Sequence, residues 1–328
     1  MLACVTGASG HLGVSLVRAL LARGWTVRAL VHQNTHGLED PAVERVYGDV
    51  LDVQSLERAF TGADVVFHLA GRVSVVSWDR GDVEAVNTQG VRNVVAACRG
   101  SGAGRLVHTS SFHAHRQEPL DEPLVETRPL VDSRRFPPYN YSKAEGERVL
   151  REAIAQGLDA VVVSPTGMIG PYDFQPSHFG AILLAMAREK LPVSVNAGLD
   201  WVDTRDVAEG MIRACERAGA GEKYFLSGHW VTLADIARLV AQVSGRRAPR
   251  MSVPLGLGRA VAPFAESFAR LAGKRALFTG ISMKELASNR QISHEKAARD
   301  LDYEPRPFQT TISDTLNWYR ANGFLPTD

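Results

Sequence analysis

Tyr139 and Lys143 stand four residues apart in Tyr139-Asn-Tyr-Ser-Lys143. On a helix that spacing puts both side chains on one face, one turn apart. An ammonium beside a phenol favours the phenolate, which suits Tyr139 to exchange a proton with a carbonyl or an alcohol. Thr109-Ser110-Ser111 adds hydroxyls at the carboxyl end of an apolar run, where parallel sheets hold their ligands. Ser111 is therefore expected to hydrogen-bond the reacting oxygen and hold it near Tyr139. The third group is Thr6-Gly-Ala-Ser-Gly-His-Leu-Gly13. Gly7 suits a tight turn, Gly10 the approach of backbone amides to a pyrophosphate, and Gly13 close helix–strand packing. A dinucleotide with a cationic nicotinamide would add to the pull on the tyrosine.

These groups must be positioned by strands and helices in alternation. Apolar runs and their punctuation predict strands over 2–5, 25–31, 44–47, 64–69, 105–109 and 160–164. Helical spacing predicts helices over 14–23, 55–60 with Asp52 as cap, 83–99 and 141–155. Strands separated by helices of this length imply an α/β fold with a Rossmann-type doubly wound parallel sheet. Past Pro165 glycines, prolines and aromatics become frequent. Residues 1–165 are read as an NAD(P)-binding region and 166–328 as a smaller, interleaved substrate-binding region.

Composition sets the outer bounds. The 328 residues are 45% hydrophobic and 22% charged, with a formal charge of +1, which excludes disordered and fibrous classes. No basic excess exists to neutralise a phosphate backbone, so no nucleic-acid partner is expected. No apolar run is long enough for a transmembrane helix and no targeting segment is visible, so a cytoplasmic protein without a membrane partner is expected. Cys4, Cys98 and Cys215 are far apart and offer neither a zinc spacing nor a disulfide framework. His108, His113 and His115 lack a neighbouring cysteine or acid, and no metal is expected.

The motifs resemble the extended short-chain dehydrogenases/reductases, nearest the dihydroflavonol-reductase-like branch of the NAD-dependent epimerase/dehydratase group. Further anchors are Asp64-Val-Val-Phe-His-Leu-Ala70, Asn87-Thr-Gln-Gly-Val-Arg-Asn93, Ser164-Pro-Thr-Gly-Met-Ile-Gly-Pro171 and Trp201-Val-Asp203-x-x-Asp206-Val-Ala208. The resemblance covers most of the chain and implies catalysis by Ser111, Tyr139 and Lys143. Asn87 would order the active-site helix and a proton-relay water. Cofactor contacts would come from Gly7, Ser9, Gly10, His11, Leu12 and Gly13, and from Asp49 and Val50 at the adenine. Leu69, Ala70 and Gly71 follow the fourth strand. Tyr139 and Lys143 would meet the nicotinamide ribose, and Pro165, Thr166, Gly167 and Met168 the nicotinamide. Relatives often dimerise through helices of the first half, so a homodimer is an open expectation.

Departures from the group narrow the activity. Sugar dehydratases carry an Asp-Glu pair after the serines, where this chain reads Phe112-His113-Ala114. Nucleotide-sugar epimerases usually show asparagine at the position of Gly167. They also carry an Arg-Asp-aromatic segment where Leu199-Asp200-Trp201 stands, so a nucleoside diphosphate is poorly served. Ketone–alcohol interconversion on a largely apolar or aromatic small molecule is expected, with Phe112, His113, Phe174, Phe179 and Trp201 as substrate contacts. A sugar epimerase and a nucleotide-sensing protein without turnover remain alternatives. The second strand ends Leu30-Val31-His32-Gln33-Asn34 without the acid that selects NAD. That predicts NADP(H) preference through His32, with NAD(H) still usable.

Overall fold

The computed structural model describes residues 1–74, 79–191, 193–249, 251–271 and 277–326, with the side chains of 268–271 excepted. The first half contains β1 (Leu2–Thr6), α1 (His11–Ala22), β2 (Thr26–Val31), β3 (Val43–Tyr47), α2 (Val53–Phe60) and β4 (Val65–His68). There follow α3 (Arg80–Glu84), a π-helical turn (Ala85–Gln89), α4 (Gly90–Ser101), β5 (Arg105–Thr109), a 3₁₀ turn (Phe112–Ala114) and α5 (Pro138–Ala155). β6 (Ala160–Pro165), β7 (Gly167–Ile169), α6 (His178–Ala187), β8 (Val193–Asn196), β9 (Gly198–Asp203) and α7 (Thr204–Arg217) lead onward. The chain ends through β10 (Lys223–Leu226), β11 (His229–Thr232), α8 (Leu233–Ser244), β12 (Met251–Pro254), α9 (Leu255–Leu271), α10 (Gly280–Glu285), α11 (Glu295–Leu301) and α12 (Phe308–Ala321).

The central sheet has seven parallel strands in the order β10-β6-β5-β4-β1-β2-β3. Its inner strands are apolar nearly throughout because both faces are covered. Along β6, Val161 and Val163 enter one core with Leu16 and Leu20 of α1 and Met211 of α7. Ala160 and Val162 enter the opposite core with Leu56 of α2, Val94 of α4 and Leu150 of α5, as the period of two requires. The strand order reverses between β1 and β4, and ligands of such sheets sit beyond the strand ends at that point. Asp52 caps α2 by accepting from the Gln54 amide at 3.0 Å. The short strands of the second half make a three-stranded sheet, β11-β9-β7, and a two-stranded one, β12-β8, over a separate apolar core that includes Ile182, Leu233 and Ile312.

Helices α1 and α2 start at His11 and Val53, earlier than the 14 and 55 expected, and two further differences bear on the site. α5 starts at Pro138 rather than 141 because Pro occupies its first turn, where the missing N–H is no loss. Tyr139 is therefore already helical. The helix expected over 83–99 is interrupted by the π turn at 85–89, and π segments inside helices recur at functional sites. Asn87 lies in that turn. No helix among the described residues is long and apolar enough to cross a membrane.

Candidate active site

The glycine loop is built for close approach. Gly7 has φ +70°, and a Cβ there would sit 2.6 Å from the Ala70 amide nitrogen. A Cβ on Gly13 would sit 2.1 Å from the Gly7 carbonyl oxygen, so the first turn of α1 lies directly on the loop. At Gly10 a Cβ would meet only the Gly7 oxygen, at 3.2 Å, and the surroundings are otherwise open. Gly10 caps α1 without a side chain, which leaves first-turn amides facing that open side. Leu12 is buried in the core, so only its backbone is placed to face a ligand, while Ser9 is half-buried. The His11 ring turns away, bonding the carbonyls of Gly170 and Pro171 at 3.0 and 3.1 Å, and so ties the loop to the second half.

At the far end of the crevice, His32 is exposed and its Nε2 lies 3.4 Å from a carboxylate oxygen of Asp49. The Asp49 backbone is fixed by the Ser55 hydroxyl in both directions at 3.0 Å. Val50 is buried and its carbonyl accepts from Asn93 at 2.9 Å. Beside the glycine loop, the Leu69 amide donates to the Thr6 carbonyl at 3.1 Å and the Ala70 amide to the Thr6 hydroxyl at 3.2 Å. These bonds set the loop after β4 against the loop after β1.

The residues expected to act as acid and base converge at the ends of β4 and β5. The Tyr139 phenol and the Ser111 hydroxyl face one another. Ser111 also accepts from the His113 amide at 3.2 Å, which fixes its position ahead of the 3₁₀ turn. The Lys143 ammonium is buried and donates to the Thr109 carbonyl at 2.9 Å. Burial pushes its pKa down to about 8. The ammonium was expected to lower the Tyr139 pKa. Instead burial raises the phenol, the neighbouring Ser111 hydroxyl opposes that, and Glu285 adds to the rise. Burial thus favours the protonated phenol.

Asn87 works as a clamp. Its Oδ1 accepts from the Arg72 amide at 2.8 Å, and its Nδ2 donates to the Arg72 carbonyl at 2.9 Å and to the Ser142 hydroxyl at 3.0 Å. Ser142 lies between Tyr139 and Lys143 and donates to the Tyr139 carbonyl at 2.9 Å. A Cβ on Gly71 would lie 3.1 Å from the Lys143 Nζ and 3.2 Å from the Asn87 Oδ1. The loop after β4 therefore touches both residues.

Sequence reasoning missed Glu147. It is fully buried one turn beyond Lys143, accepting from Ser110 at 2.9 Å, Lys223 at 2.6 Å and Arg151 at 2.7 Å. The signal was present as a four-residue period, Tyr139–Lys143–Glu147–Arg151, which is one helix face. Lys223, Arg151 and His115 hold the Glu147 carboxyl down to about 2 against the opposing effect of burial. Burial pushes Lys223 down to about 8 even with Glu147 beside it. Nearby, His68 bonds the Thr6 hydroxyl at 2.7 Å and stacks on His108. Burial keeps both imidazoles neutral, His68 down to about 3.

The expected substrate contacts divide. Phe179 lies tilted against Trp201 with ring centres 3.8 Å apart, and Trp201, buried in the second-half core, abuts Gly167, whose Cβ would lie 2.7 Å from its ring. This pair borders the junction of β6 and β7, Pro165 to Met168. Phe112 is 1% exposed and packs in the second-half core, so it offers no open wall beside Ser111. His113 is engaged by Glu285, which also accepts from Asn140 at 3.2 Å. Phe174 is not brought to Tyr139. It packs edge-on against Trp318, 5.0 Å between centres, and against the Gly37 loop.

The loop, the Tyr139–Ser111–Lys143 group and the sheet order together define a nicotinamide-dependent dehydrogenase scaffold. The family described as NAD dependent epimerase/dehydratase matches residues 3–227. The chain belongs to that family, within the extended short-chain dehydrogenases/reductases, and is an NAD(P)-dependent oxidoreductase. It is 33% identical over 335 residues to the sterol demethylase protein B of Methylococcus capsulatus, covering 99% of this chain and 100% of that protein. It is 30% identical over 329 residues to the "Putative dihydroflavonol 4-reductase" of Synechocystis, covering 98% and 96%. The crystal structure of gox2253 superposes with a TM-score of 0.86 at 30% identity, covering 99% of each chain.

Proposed function

We propose that the protein interconverts a ketone and a secondary alcohol on a largely apolar or aromatic small molecule, with NADP(H) as preferred cofactor and Tyr139 as acid/base. The observation that carries this is the Ser111–Tyr139 hydroxyl pair beside a buried Lys143. Residues 1–165 would bind the cofactor and 166–328 the substrate. The first-turn amides of α1 at Gly10 to Gly13 would hold the pyrophosphate, and Lys143, Tyr139 and Pro165 to Met168 the nicotinamide end. The bound cofactor supplies or accepts the hydride. Ser111 orients the reacting oxygen by a hydrogen bond. Tyr139, protonated because it is buried, gives its phenolic proton to that oxygen in reduction and takes it back in oxidation. Lys143, anchored on the Thr109 carbonyl, offsets the phenolate charge that forms. Asn87 holds Tyr139 and Lys143 in register through Ser142.

The cofactor preference rests on His32 and on the missing acid at the end of β2. Asp49 beside His32 works against a 2′-phosphate, which keeps the preference modest. The substrate class rests on the Phe179–Trp201 ring contact at the β6–β7 junction, on the absence of an acid/base pair after Ser111, and on relatives named for a sterol and a dihydroflavonol. The test is a panel of aryl and alicyclic ketones and a nucleotide sugar, each with NADPH and NADH, read at the reduced-cofactor absorbance. Ketone-dependent oxidation with a modest preference for NADPH is expected. Turnover of the nucleotide sugar alone, or a clear preference for NADH, would overturn the corresponding part.

A further inference from the structure

Proton exchange through Tyr139 needs atoms from two elements in register: the Tyr139 phenol and the Lys143 ammonium on α5, and the Ser111 hydroxyl just beyond β5. Ser110 stands where the two elements are joined. Its amide continues the strand pairing by donating to the Val163 carbonyl at 2.8 Å. Its hydroxyl donates to a carboxylate oxygen of Glu147 at 2.9 Å, and both residues are buried. Glu147 lies one turn beyond Lys143 on the same face of α5, and Lys143 donates to the carbonyl of Thr109, the residue before Ser110. The helix thus holds the strand end at two successive residues immediately ahead of Ser111. At the residue before Glu147, α5 rests directly on the π turn: a Cβ on Gly146 would lie 2.4 Å from the Asn87 carbonyl oxygen.

Stability does not account for a charge at this place. Desolvating a buried ion pair offsets most of its attraction, and apolar side chains of similar size commonly serve a fold as well. What an apolar pair could not supply is a fixed acceptor for the Ser110 hydroxyl. Lys223 of β10 and Arg151 both donate to one oxygen of the Glu147 carboxylate, at 2.6 and 2.7 Å. Ser110 donates to the other oxygen. With one oxygen held by two cations, the other is kept at a set place, and a bond to an ionised acceptor is stronger than one to a neutral group.

We propose that Glu147 is a positioning residue for the reaction: acting through Ser110, it fixes the end of β5 against α5 so that Ser111, Tyr139 and Lys143 meet the same oxygen. This rests on the ketone–alcohol reading of those three residues. Glu147 neither gives nor takes a proton in the step, which stays with Tyr139. Without the bond to Ser110 the strand end is free to shift against the phenol, and a misplacement of about 1 Å can cost about 10²-fold in rate.

The test compares two uncharged replacements of the Glu147–Lys223 pair, in the full chain with NADPH and the best ketone of the panel. Glu147→Gln/Lys223→Met keeps an acceptor for Ser110 and leaves no buried ammonium unpaired. Glu147→Met/Lys223→Met removes the acceptor as well. The first should keep kcat within about threefold of the wild type and the second should lose about tenfold, with KM and cofactor affinity little changed in both. Ser110→Ala leaves the carboxylate with Lys223 and Arg151, so it folds independently of the pair, and it should lose kcat to the same degree. Adding Ser110→Ala to the Met pair should lose nothing more, because both changes delete one bond. Melting temperatures show that each variant is folded at the assay temperature. Equal kcat in the Gln and Met pairs, a Ser110→Ala enzyme at the wild-type rate, or losses that multiply would overturn the proposal. A wild type without ketone turnover, or one whose turnover survives Tyr139→Phe, would overturn the underlying reading and the proposal with it.

Discussion

Removing the charge of Glu147 should cost more than removing the whole ion pair. Glu147 and Lys223 are both buried, 2.6 Å apart. A carboxyl held at about 2 instead of 4.5 contributes about 3 kcal/mol to the folded state. An ammonium pushed to about 8 instead of 10.5 costs about as much. Buried ion pairs commonly come close to balance, because the desolvation of both ions offsets their attraction. Glu147→Gln leaves the Lys223 ammonium without its counter-charge and should destabilise by about 3–5 kcal/mol. For a chain of this length that is a fall in melting temperature of roughly 4–8 °C. Glu147→Met/Lys223→Met should lose much less than the sum of the single changes. The sign with pH follows from the direction of each shift. The Glu147 contribution is complete above 4.5 and lost as pH falls towards 2, so the Gln variant lacks that part of acid unfolding. The Lys223 cost is complete below 8 and relieved as pH rises towards 10.5. Denaturant titrations of the four proteins at neutral and acid pH give the coupling directly. A Gln variant within about 1 kcal/mol of the wild type, or a double variant that loses the full sum, would refute the reasoning.

Burial raises Asp200 to about 6 although the Gly228 amide donates to it at 2.8 Å. A raised carboxyl costs stability as pH rises from the unfolded value through 6, so Asp200→Asn should raise the melting temperature at neutral pH and change it little near pH 4. Gly13→Ala places a Cβ 2.1 Å from the Gly7 carbonyl, so dinucleotide binding measured by cofactor fluorescence should fall sharply with the loop's displacement. Lys143→Met should lower both turnover and cofactor affinity, whereas a change confined to turnover would remove Lys143 from the cofactor contacts.

The central sheet was legible because each inner strand is a short apolar run set off by glycine, aspartate or proline. The glycine loop was legible because only glycine tolerates the contacts at Gly7 and Gly13. Helix starts were less so. Apolar periodicity begins at the first buried face, and neither His11 nor Pro138 carries that signal. Phe112 and Phe174 were read as substrate contacts from their type and their nearness in sequence to the motifs. Both are held by residues from distant segments: Phe112 by the second-half core, Phe174 by Trp318 of α12. The same holds for Glu147, whose partner Lys223 lies 76 residues away.

The most direct measurement is single-turnover reduction of the best ketone by the wild type and by Tyr139→Phe, with cofactor affinity titrated in parallel. The account predicts a rate lower by about 10²–10⁴ with cofactor affinity nearly unchanged. A Phe variant that turns over at a near-normal rate would contradict the account.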